Sequence, residues 1–415
     1  MRFTFLNPVG IVGGAERVLL AAILGVREHL PDAKVAVVLL ADGPLRAKAE
    51  RLGASVAVVP LPAGLAMQGD TRFRGCGRAR TLAGLGWAIL GEIPAAVKFL
   101  RRLRATLRRT DPDLIHSNGL KAHVLASLAR PRGIPVLWHL HDFPGHRPIM
   151  ARVLRRLAGG VAGGVAISEA VRRDAEAVLP GLPITLVRNP TDTGHFSPAW
   201  RDGAGLDLLA GLSAAEPGTV RIGLVATYAN WKGQDVFLDA LARLNSCGTP
   251  VRGYIVGGPI YTTTGSQFSE AGLRNLAARL GLIGRVGFIP FQEDPSDVYR
   301  MLDVVVHASI RPEPFGLTIA EAMACGRPVI VAAAGGAAEL FTAGHDGLGH
   351  TPGDPEDLAR SIALVVADPG LRAQLGANGR RTAIEHFSQE RYGREITAVY
   401  SRISRGVAAP RPEEC

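Results

Sequence analysis

The chain has 415 residues, 47% of them hydrophobic, 6% aromatic and 20% charged, with a formal net charge of +10. This length exceeds what one ordinary hydrophobic core serves, so two or three domains are expected. The four cysteines, Cys76, Cys247, Cys325 and Cys415, are scattered without a CxxC pair, which argues against a disulfide framework or a zinc site and for a reducing compartment.

The basic charge is concentrated in the first half of the chain. Residues 1–195 carry 27 Lys and Arg against 14 Asp and Glu, whereas the remainder carries 20 against 23. This asymmetry predicts that the first half meets an anionic partner, either a phospholipid surface, a phosphorylated acceptor or nucleic acid. Nucleic acid is the weakest of the three, because the few aromatic residues are not interleaved with the basic ones.

The sequence has no strong membrane signal. The N-terminal stretch MRFTFLNPVG lacks a long apolar region, so no signal peptide is expected. Residues 81–100 form the most apolar run, but Glu92, Pro94 and Lys98 interrupt it. We therefore expect a buried or amphipathic helix there rather than a membrane span.

Short apolar strands alternate with helices along the first half. The predicted strands are RFTFLN, KVAVVLL, ASVAVVPL, DLIHS, PVLWHLH, GGVAIS and ITLVRNP. The predicted helices are AERVLLAAILGVREHL, GPLRAKAERLG and residues 86–109, 119–130, 148–158 and 168–178, with a mobile Gly- and Arg-rich loop at 61–84. Strands that are apolar on both faces and alternate with helices predict a parallel sheet covered on both sides, which is a doubly wound α/β domain.

A second series of the same kind follows a Gly-, Ala- and Pro-rich stretch. Its predicted strands are VRIGLVATY, VRGYIVGG, VGFIPF, DVVVHAS, PVIVAA and GLGHT. The predicted organisation is an N-terminal Rossmann-like domain at 1–195, a linker at 196–218, a C-terminal Rossmann-like domain at 219–387, a final helix at 388–405 that returns to the first domain, and a disordered tail at 406–415. Ligands of such sheets bind at the carboxyl ends of the strands, so the site is expected in those loops, around a central cleft.

Two glycine-containing loops precede predicted helices and are candidate phosphate contacts. Gly13 and Gly14 lie between the first strand and the first helix, where backbone amides and a helix N-terminus favour an anion. They do not form a GxGxxG or P-loop motif, and a glycine turn at this junction also occurs for packing alone. Lys232 and Gly233 precede a helix in the second half, where the lysine either reaches an anion or is a solvated surface residue.

Two glutamates seven residues apart occupy the segment EPFGLTIAE. Glu313 is predicted in a Pro- and Gly-containing loop at 310–316, and Glu321 on a helix about two turns below the loop tip. The amides of Phe315, Gly316 and Leu317 would point out of the helix N-terminus. Two such carboxylates could bind hydroxyl groups on either side of a phosphate. One alternative is the acid and nucleophile pair of a glycosidase. The other is a pair without a functional role, in which one glutamate is solvated and the other is ion-paired.

Histidines end two predicted neighbouring strands. His139 and His141 face one side of their strand, and together with Asp142 they could be read as metal ligands. A third ligand at fitting spacing is not evident, so a metal site is not predicted. His116 is a candidate hydroxyl or sugar contact. The DPD sequence at 111–113 is interpreted as a turn rather than a metal-binding Asp-x-Asp motif.

The segment EPFGLTIAEAMACGRPVIVAAAGGAAEL closely resembles the E-x7-E signature of family-4 retaining glycosyltransferases with the two-domain GT-B fold. Further segments match in family order across nearly the whole chain: GGAE, HD after the fifth strand, AISEAVRRD, ATYANWKGQDVFLDAL, GFIPFQEDPSDVYRMLDVVVHAS and DTGHFSP. The resemblance implies transfer of a sugar from a nucleotide-diphosphate donor, UDP- or GDP-linked, without a metal or other cofactor.

The resemblance also assigns roles by position. Glu321 would bind the ribose diol, Glu313 the donor sugar, Lys232 the diphosphate, and His141 would lie near the sugar on the acceptor side. The implied catalytic residues are Glu313, His141 and Lys232. The implied donor-binding residues are Gly13, Gly14, Lys232, Phe288, Ile289, Pro290, Glu313, Phe315, Gly316, Leu317 and Glu321, with backbone groups of 288–290 reading the base.

Two positions depart from the family pattern. Thr227 stands where many members have an arginine, so Lys232, with help from Arg311, would carry more of the phosphate charge. The family's NGVD at the domain junction reads NPTD here, from Asn189 to Asp192, and predicts a stiffer hinge.

The sequence therefore predicts a cytoplasmic glycosyltransferase of cell-envelope or polysaccharide biosynthesis, acting on a sugar, glycan or lipid-linked acceptor. The basic helical run KFLRRLRATLRRT motivates a further hypothesis, that the first domain binds an anionic membrane from the cytoplasmic side; a merely solvated basic face is an equal alternative. The functional alternatives are a sugar-nucleotide epimerase on the same fold and a non-catalytic subunit that binds sugar nucleotides or glycans.

Overall fold

The computed structural model describes residues 1–62, 78–199, 201–259 and 266–406, with only the backbone of 78–93. The chain divides into two compact units, unit 1 comprising Met1–Arg188 and Tyr392–Cys415, and unit 2 comprising Asn189–Arg391. Residues 63–77 of the predicted loop 61–84, and all but the first residue of the predicted tail 406–415, lie outside the described residues. The prediction of a loop was wrong for residues 78–84, which are helical.

Unit 1 alternates strands and helices in the predicted manner. Its strands are β1 (Arg2–Asn7), β2 (Lys34–Leu39), β3 (Ser55–Val58), β4 (Leu114–Asn118), β5 (Val136–Leu140), β6 (Gly163–Ala166) and β7 (Ile184–Leu186). Its helices are α1 (Gly14–His29), α2 (Pro44–Arg51), α3 (Arg78–Arg109), α4 (Leu120–Ala129), α5 (Pro148–Ala158) and α6 (Glu169–Val178). A short 3₁₀ helix spans Pro144–His146.

In the described part of unit 1, seven parallel strands form one sheet in the order β3-β2-β1-β4-β5-β6-β7. Every residue of β4 and of β5 is buried, as expected for strands covered by helices on both faces. The strand order reverses between β1 and β4, so the loops that follow these two strands diverge and leave a crevice at the sheet edge.

Unit 2 repeats the pattern with strands β8 (Val220–Val225), β9 (Val251–Val256), β10 (Val286–Ile289), β11 (Val304–His307), β12 (Val329–Ala332) and β13 (Leu348–His350). Its helices are α7 (Ala204–Leu209), α8 (Gln234–Ser246), α9 (Glu270–Arg279), α10 (Ser296–Met301), α11 (Leu317–Ala324), α12 (Pro355–Ala367) and α13 (Pro369–Phe387). Short 3₁₀ helices span Asn230–Lys232 and Gly336–Glu339.

Six parallel strands of the described residues in unit 2 are ordered β10-β9-β8-β11-β12-β13. This is the order of a dinucleotide-binding fold, with its switch point between β8 and β11. The core beneath it includes Ile222, Leu224, Phe237 and Val304, all 1% exposed or less. The prediction of two doubly wound α/β domains is confirmed.

The segment 196–218, predicted as a linker, contributes α7 to unit 2. Asp207 of this helix is buried and accepts ion-paired hydrogen bonds from Arg221 (3.0 Å) and Arg252 (2.7 Å), and a further one from the Tyr254 hydroxyl (2.5 Å). These donors lower the Asp207 pKa to about 2, against the opposing effect of burial. The Gly-, Ala- and Pro-rich composition of the segment hides this buried anchor, which is recognised only from its partners on β8 and β9.

The last helix, α14 (Gln389–Ser404), starts at the end of unit 2 and contributes Tyr392 onward to unit 1. In unit 1 its Tyr400 is fully buried, with its hydroxyl 2.8 Å from Nδ1 of His116 on β4. Among the helices that the structure describes, none is long and apolar enough to cross a membrane.

Candidate active site

The loops after β8 and β11 bring Lys232 and Glu313 together at the switch point of unit 2. The lysine Nζ lies 2.5 Å from Oε2 of the glutamate. Both side chains are largely withdrawn from solvent, with 19% and 10% of their surface exposed. Two opposite charges in a poorly hydrated site attract each other strongly, so this pair is the electrostatic centre of the unit 2 site.

A second set of polar groups holds the same oxygen of Glu313. The Ser309 hydroxyl donates to Oε2 at 3.1 Å, and Nε2 of His307 lies 3.3 Å from it and 3.0 Å from the Ser309 oxygen. Burial raises the Glu313 pKa, but attraction by Lys232 and hydrogen bonding from His307 outweigh burial and bring that pKa down to about 2. Glu313 is therefore a carboxylate at neutral pH, able only to accept hydrogen bonds.

The Gly-Gly turn after β12 fixes the backbone of Glu313. The Gly336 N–H donates to the Glu313 carbonyl at 2.7 Å, and Gly335 has a φ of +65°. A Cβ at position 335 would lie 2.6 Å from that carbonyl oxygen. Glycine is required there both by the left-handed conformation and by the close approach, which explains why the two glycines follow the glutamate loop in the sequence.

A glycine also positions Lys232. Gly233 has a φ of +73°, and a Cβ there would lie 1.9 Å from the Ala308 carbonyl oxygen. The Ile310 N–H donates to the Trp231 carbonyl at 2.8 Å, and the Lys232 ammonium lies 4.1 Å from the centre of the Trp231 ring. The loops after β8 and β11 are thus packed backbone to backbone, which sets the spacing of the ion pair.

Glu321 lies inside unit 2, on α11. Its side chain is buried and accepts a hydrogen bond of 2.9 Å from the Tyr299 hydroxyl. At the start of α11, Phe315 is buried against Phe387, and Gly316 has a φ of +99°. The first N–H groups of a helix have no partner within it, so the amides of Gly316 and Leu317 are available donors beside Glu313.

The other predicted donor-site residues of unit 2 lie on a different strand. Phe288 and Ile289 end β10 and are buried, and Pro290 follows them exposed. β9 separates β10 from β8 in the sheet. The Thr227 carbonyl accepts a hydrogen bond of 2.7 Å from Gln234, and Arg311 is exposed.

In unit 1, the predicted glycines flank the start of α1. The Gly13 N–H donates to Oε2 of Glu16 at 3.0 Å, while Gly14 is exposed. The Glu16 side chain is buried, and burial raises its pKa. The Gly13 amide thus serves an internal contact in this structure.

A cavity of about 270 Å³ opens at the carboxyl ends of β1, β4 and β5 in unit 1. Its lining residues are Pro8, Gly119, Leu120, Lys121, His123, His141, Asp142 and Arg147. Arg147 is paired with Asp142 at 2.8 Å, and burial lowers the Lys121 pKa. Two cations against one carboxylate, beside the N-terminus of α4, make this cavity suited to an anionic group.

Four histidines of unit 1 cluster at that cavity: His116, His123 and His139 are buried, and half-buried His141 lines the cavity with His123. Nε2 of His116 lies 3.2 Å from Nδ1 of His139, and the rings of His139 and His141 have centroids 4.0 Å apart. Burial lowers the pKa of His116 and His141 to about 3, and those of His123 and His139 well below the usual value. Within the described ranges, no three or more His, Cys, Asp or Glu side chains are grouped to hold a metal ion.

Sequence reasoning missed four side chains that serve these sites. His307 and Ser309 hold Glu313, and Asn7 and Asn118 lie behind His141, whose Nε2 is 2.5 Å from Oδ1 of Asn118. The available signal was a polar residue at the end of an apolar strand: Asn7 closes RFTFLN, Asn118 follows LIHS, and His307 and Ser309 share one face of VVVHAS.

Two family models match the chain, Glycosyltransferase Family 4 over residues 12–195 and Glycosyl transferases group 1 over residues 214–382. The D-inositol 3-phosphate glycosyltransferase of Rhodococcus erythropolis is 33% identical over 323 residues, covering 70% of this chain and 68% of that protein. The lipopolysaccharide core biosynthesis mannosyltransferase LpsB of Rhizobium meliloti is 33% identical over 227 residues, covering 54% of this chain and 62% of that protein.

Solved structures show the same architecture. The crystal structure of Anabaena Alr3699/HepE in complex with UDP and glucose superposes with a TM-score of 0.76 and 27% identity, covering 97% of this chain and 99% of that one. The same Anabaena protein has also been solved with UDP-glucose, with a TM-score of 0.76.

Proposed function

The chain belongs to the group 1, family 4 glycosyltransferases of the GT-B fold and uses a nucleotide sugar, and we propose that it transfers the sugar with retention of configuration and without a metal. The observation that carries the proposal is the Lys232–Glu313 pair at the switch point of unit 2. One member is a cation suited to a diphosphate, and the other is a carboxylate at neutral pH, suited to sugar hydroxyls.

The donor is proposed to open this pair. Its diphosphate would take Lys232 and the free amides at the start of α11, while Glu313 would turn from the ammonium to hydroxyls of the sugar. Glu321 would accept from the ribose hydroxyls, with its orientation set by Tyr299. The backbone at 288–290 would contact the base. UDP-hexoses are the first donors to test, because the Anabaena relative binds UDP and UDP-glucose.

In the proposed reaction the bond between the anomeric carbon and the diphosphate oxygen breaks first. Lys232 and the amides stabilise the negative charge that develops on the leaving group. The acceptor hydroxyl then attacks from the face that the leaving group vacates, and its proton passes to a diphosphate oxygen. The products are the nucleoside diphosphate and a glycoside with the configuration of the donor.

The unit 1 cavity is proposed to take an acceptor with an anionic group, held by Lys121 and Arg147. The names of two relatives support this choice, since one acts on an inositol phosphate and the other in lipopolysaccharide core synthesis. His141 lines the same cavity and would contact a hydroxyl of the acceptor.

Peripheral binding to the cytoplasmic face of a membrane is a separate part of the proposal. In the C-terminal half of α3, Phe99, Leu103 and Leu107 are buried, whereas the basic side chains are exposed: Lys98, Arg101, Arg102, Arg104, Arg108 and Arg109. A basic face of this kind attracts anionic lipid. Sedimentation with phosphatidylserine vesicles at low salt tests the idea, and absence of binding there rejects it.

Release of nucleoside diphosphate tests the main proposal. The enzyme is incubated with UDP- and GDP-sugars, alone and with inositol phosphate or a lipopolysaccharide core acceptor. Acceptor-dependent release with an α-linked product from an α-linked donor supports retaining transfer. An altered sugar without acceptor would instead identify an epimerase, and donor binding without turnover a non-catalytic subunit. Activity that survives EDTA supports the metal-independent mechanism, and activity abolished by EDTA and restored by a divalent cation would reject it.

A further inference from the structure

We propose that Asn118, oriented by Asn7, is a positioning residue that keeps the proton of His141 on Nε2 and leaves its Nδ1 lone pair to accept a hydrogen bond from a substrate hydroxyl. The inference rests on the proposed function only for the identity of that hydroxyl. The tautomer itself follows from a chain of hydrogen bonds whose direction is fixed at its far end.

The chain begins at a group that can only accept. The side-chain amide of Asn7 donates to the Val9 carbonyl at 2.7 Å, and Asn7 also hydrogen-bonds the buried carboxyl of Glu16. A carbonyl has no proton to give, so the NH₂ group of Asn7 must face Val9. Its Oδ1 therefore points the other way, toward Asn118.

Asn118 continues the chain in the same direction. Its NH₂ group donates to Oδ1 of Asn7 at 2.7 Å and to the Ala15 carbonyl at 3.3 Å. Both of its N–H donors are thus directed at acceptors, and Asn118 is 1% exposed. A flipped amide would place its carbonyl oxygen against two other oxygens, at the cost of buried unsatisfied groups. The remaining Oδ1 is an acceptor and faces His141.

The last step assigns the histidine proton. Nε2 of His141 lies 2.5 Å from Oδ1 of Asn118, and two acceptors cannot share that distance without a proton between them. Nε2 must therefore carry hydrogen. The ring bears one proton at neutral pH, because burial lowers the His141 pKa to about 3. Nδ1 is then an unprotonated acceptor.

The surroundings of His141 favour this neutral form. The His139 ring lies against it, with His116 and His123 behind, and Lys121 and Arg147 line the same cavity. Asp142, the one carboxylate of that lining, is paired with Arg147. A protonated, positively charged His141 would find no carboxylate in this lining that is not already paired. An unprotonated Nδ1, in contrast, can accept a hydrogen bond from a substrate hydroxyl. This lone pair selects substrates whose hydroxyl group donates a hydrogen bond over analogues that can only accept one.

The experiment observes the tautomer directly. The full-length protein is labelled with ¹⁵N-histidine, and long-range ¹H–¹⁵N spectra are recorded between about pH 6 and 8, the range in which an ordinary histidine titrates. His141→Gln assigns the signals. The expected result is a protonated Nε2, an unprotonated Nδ1 and no titration over this range. A protonated Nδ1, or a ring that titrates near the usual histidine pKa, would overturn the proposal whether or not transfer activity is found.

Two variants of Asn118 separate positioning from folding. Asn118→Leu removes the acceptor, so the His141 signals should move toward a mixture of tautomers, with kcat reduced by about 10-fold or more for the loss of one oriented hydrogen bond. Asn118→Asp keeps an acceptor for Nε2–H and adds a charge, but it loses the N–H donors to Asn7 and Ala15. Where it folds, it should retain the tautomer and move the acidic limb of the kcat profile to higher pH. An unchanged tautomer in Asn118→Leu would contradict the role. If either variant does not fold, the wild-type spectrum still decides.

Discussion

Lys232 and Glu313 are 81 residues apart in the chain, yet their side chains meet at 2.5 Å across the switch point of unit 2. Without a donor, each is the other's ion-pair partner in a largely buried site. In the proposed reaction, Lys232 and Glu313 exchange this internal ion pair for contacts with a diphosphate and a sugar.

Replacing Glu313 should change the acid stability of the protein. Its pKa is about 2 in the fold against an ordinary 4.5, so its contribution to the free energy of unfolding is complete above about pH 4.5 and is lost as pH falls toward 2. The shift corresponds to roughly 3 kcal/mol. Urea unfolding of wild type and Glu313→Gln should therefore differ most at pH 7, with a reduced difference at pH 3 and convergence only near pH 2. A difference that stays constant with pH would show that Glu313 is not ionised in this pair.

Replacing Lys232 should weaken both donor binding and the fold, because it removes a cation from the diphosphate and leaves the buried Glu313 carboxylate without its partner. Lys232→Met should raise the Kd for UDP by about 10- to 100-fold, the effect of losing one charge-assisted contact of about 1.5–3 kcal/mol. Isothermal titration measures it. Lys98→Met, which alters an exposed lysine of unit 1, is the matched control and should bind UDP like wild type. If Lys232→Met binds UDP as tightly as wild type, Lys232 is not part of the donor site.

The glycine beside Lys232 allows a test of loop packing with an internal control. Gly233 and Gly344 have similar φ values, +73° and +76°, but a Cβ at 233 would lie 1.9 Å from a carbonyl oxygen and a Cβ at 344 would meet nothing within 4 Å. Gly344→Ala should cost only the backbone strain, about 1–2 kcal/mol. Gly233→Ala should cost distinctly more and should also lower donor affinity. Thermal unfolding with and without UDP compares them, and equal effects would mean that the two loops are not packed as described.

The anionic part of the acceptor should be recognised in unit 1. Arg147→Met or Lys121→Met should raise KM for a phosphorylated acceptor by about 10-fold and leave KM for the donor unchanged. The effect should shrink as salt is added. Arg132→Met, an exposed arginine of unit 1, is the control. A rise in the donor KM instead would show that Arg147 and Lys121 contact the donor and not the acceptor.

The fold was predictable from the sequence because the buried strands are continuously apolar and the helices between them are amphipathic. The loop positions of individual candidate residues were predictable where glycine turns mark the ends of strands, as with Lys232 before Gly233 and Glu313 before Phe315 and Gly316. Their mutual contact was not predictable from spacing. It depends on β8 and β11 being neighbours in the sheet, which strand order decides and local sequence does not.

Other parts of the sites were hidden for related reasons. Asp207 lies in a stretch with the composition of a linker, and only its pairing with Arg221 and Arg252 shows that it is an anchor. Asn7 and Asn118 look like ordinary turn-forming residues, and their role depends on hydrogen-bond direction across β1 and β4. Such roles depend on three-dimensional partners that a single sequence does not name.

A crystal structure of the enzyme with an intact, non-transferable UDP-hexose analogue tests the central claim most directly. We expect Lys232 Nζ to have left Glu313 for the diphosphate, with Glu313 accepting from sugar hydroxyls and Glu321 from the ribose. A bound donor that leaves the 2.5 Å Lys232–Glu313 contact intact, with its diphosphate held elsewhere, would contradict the account.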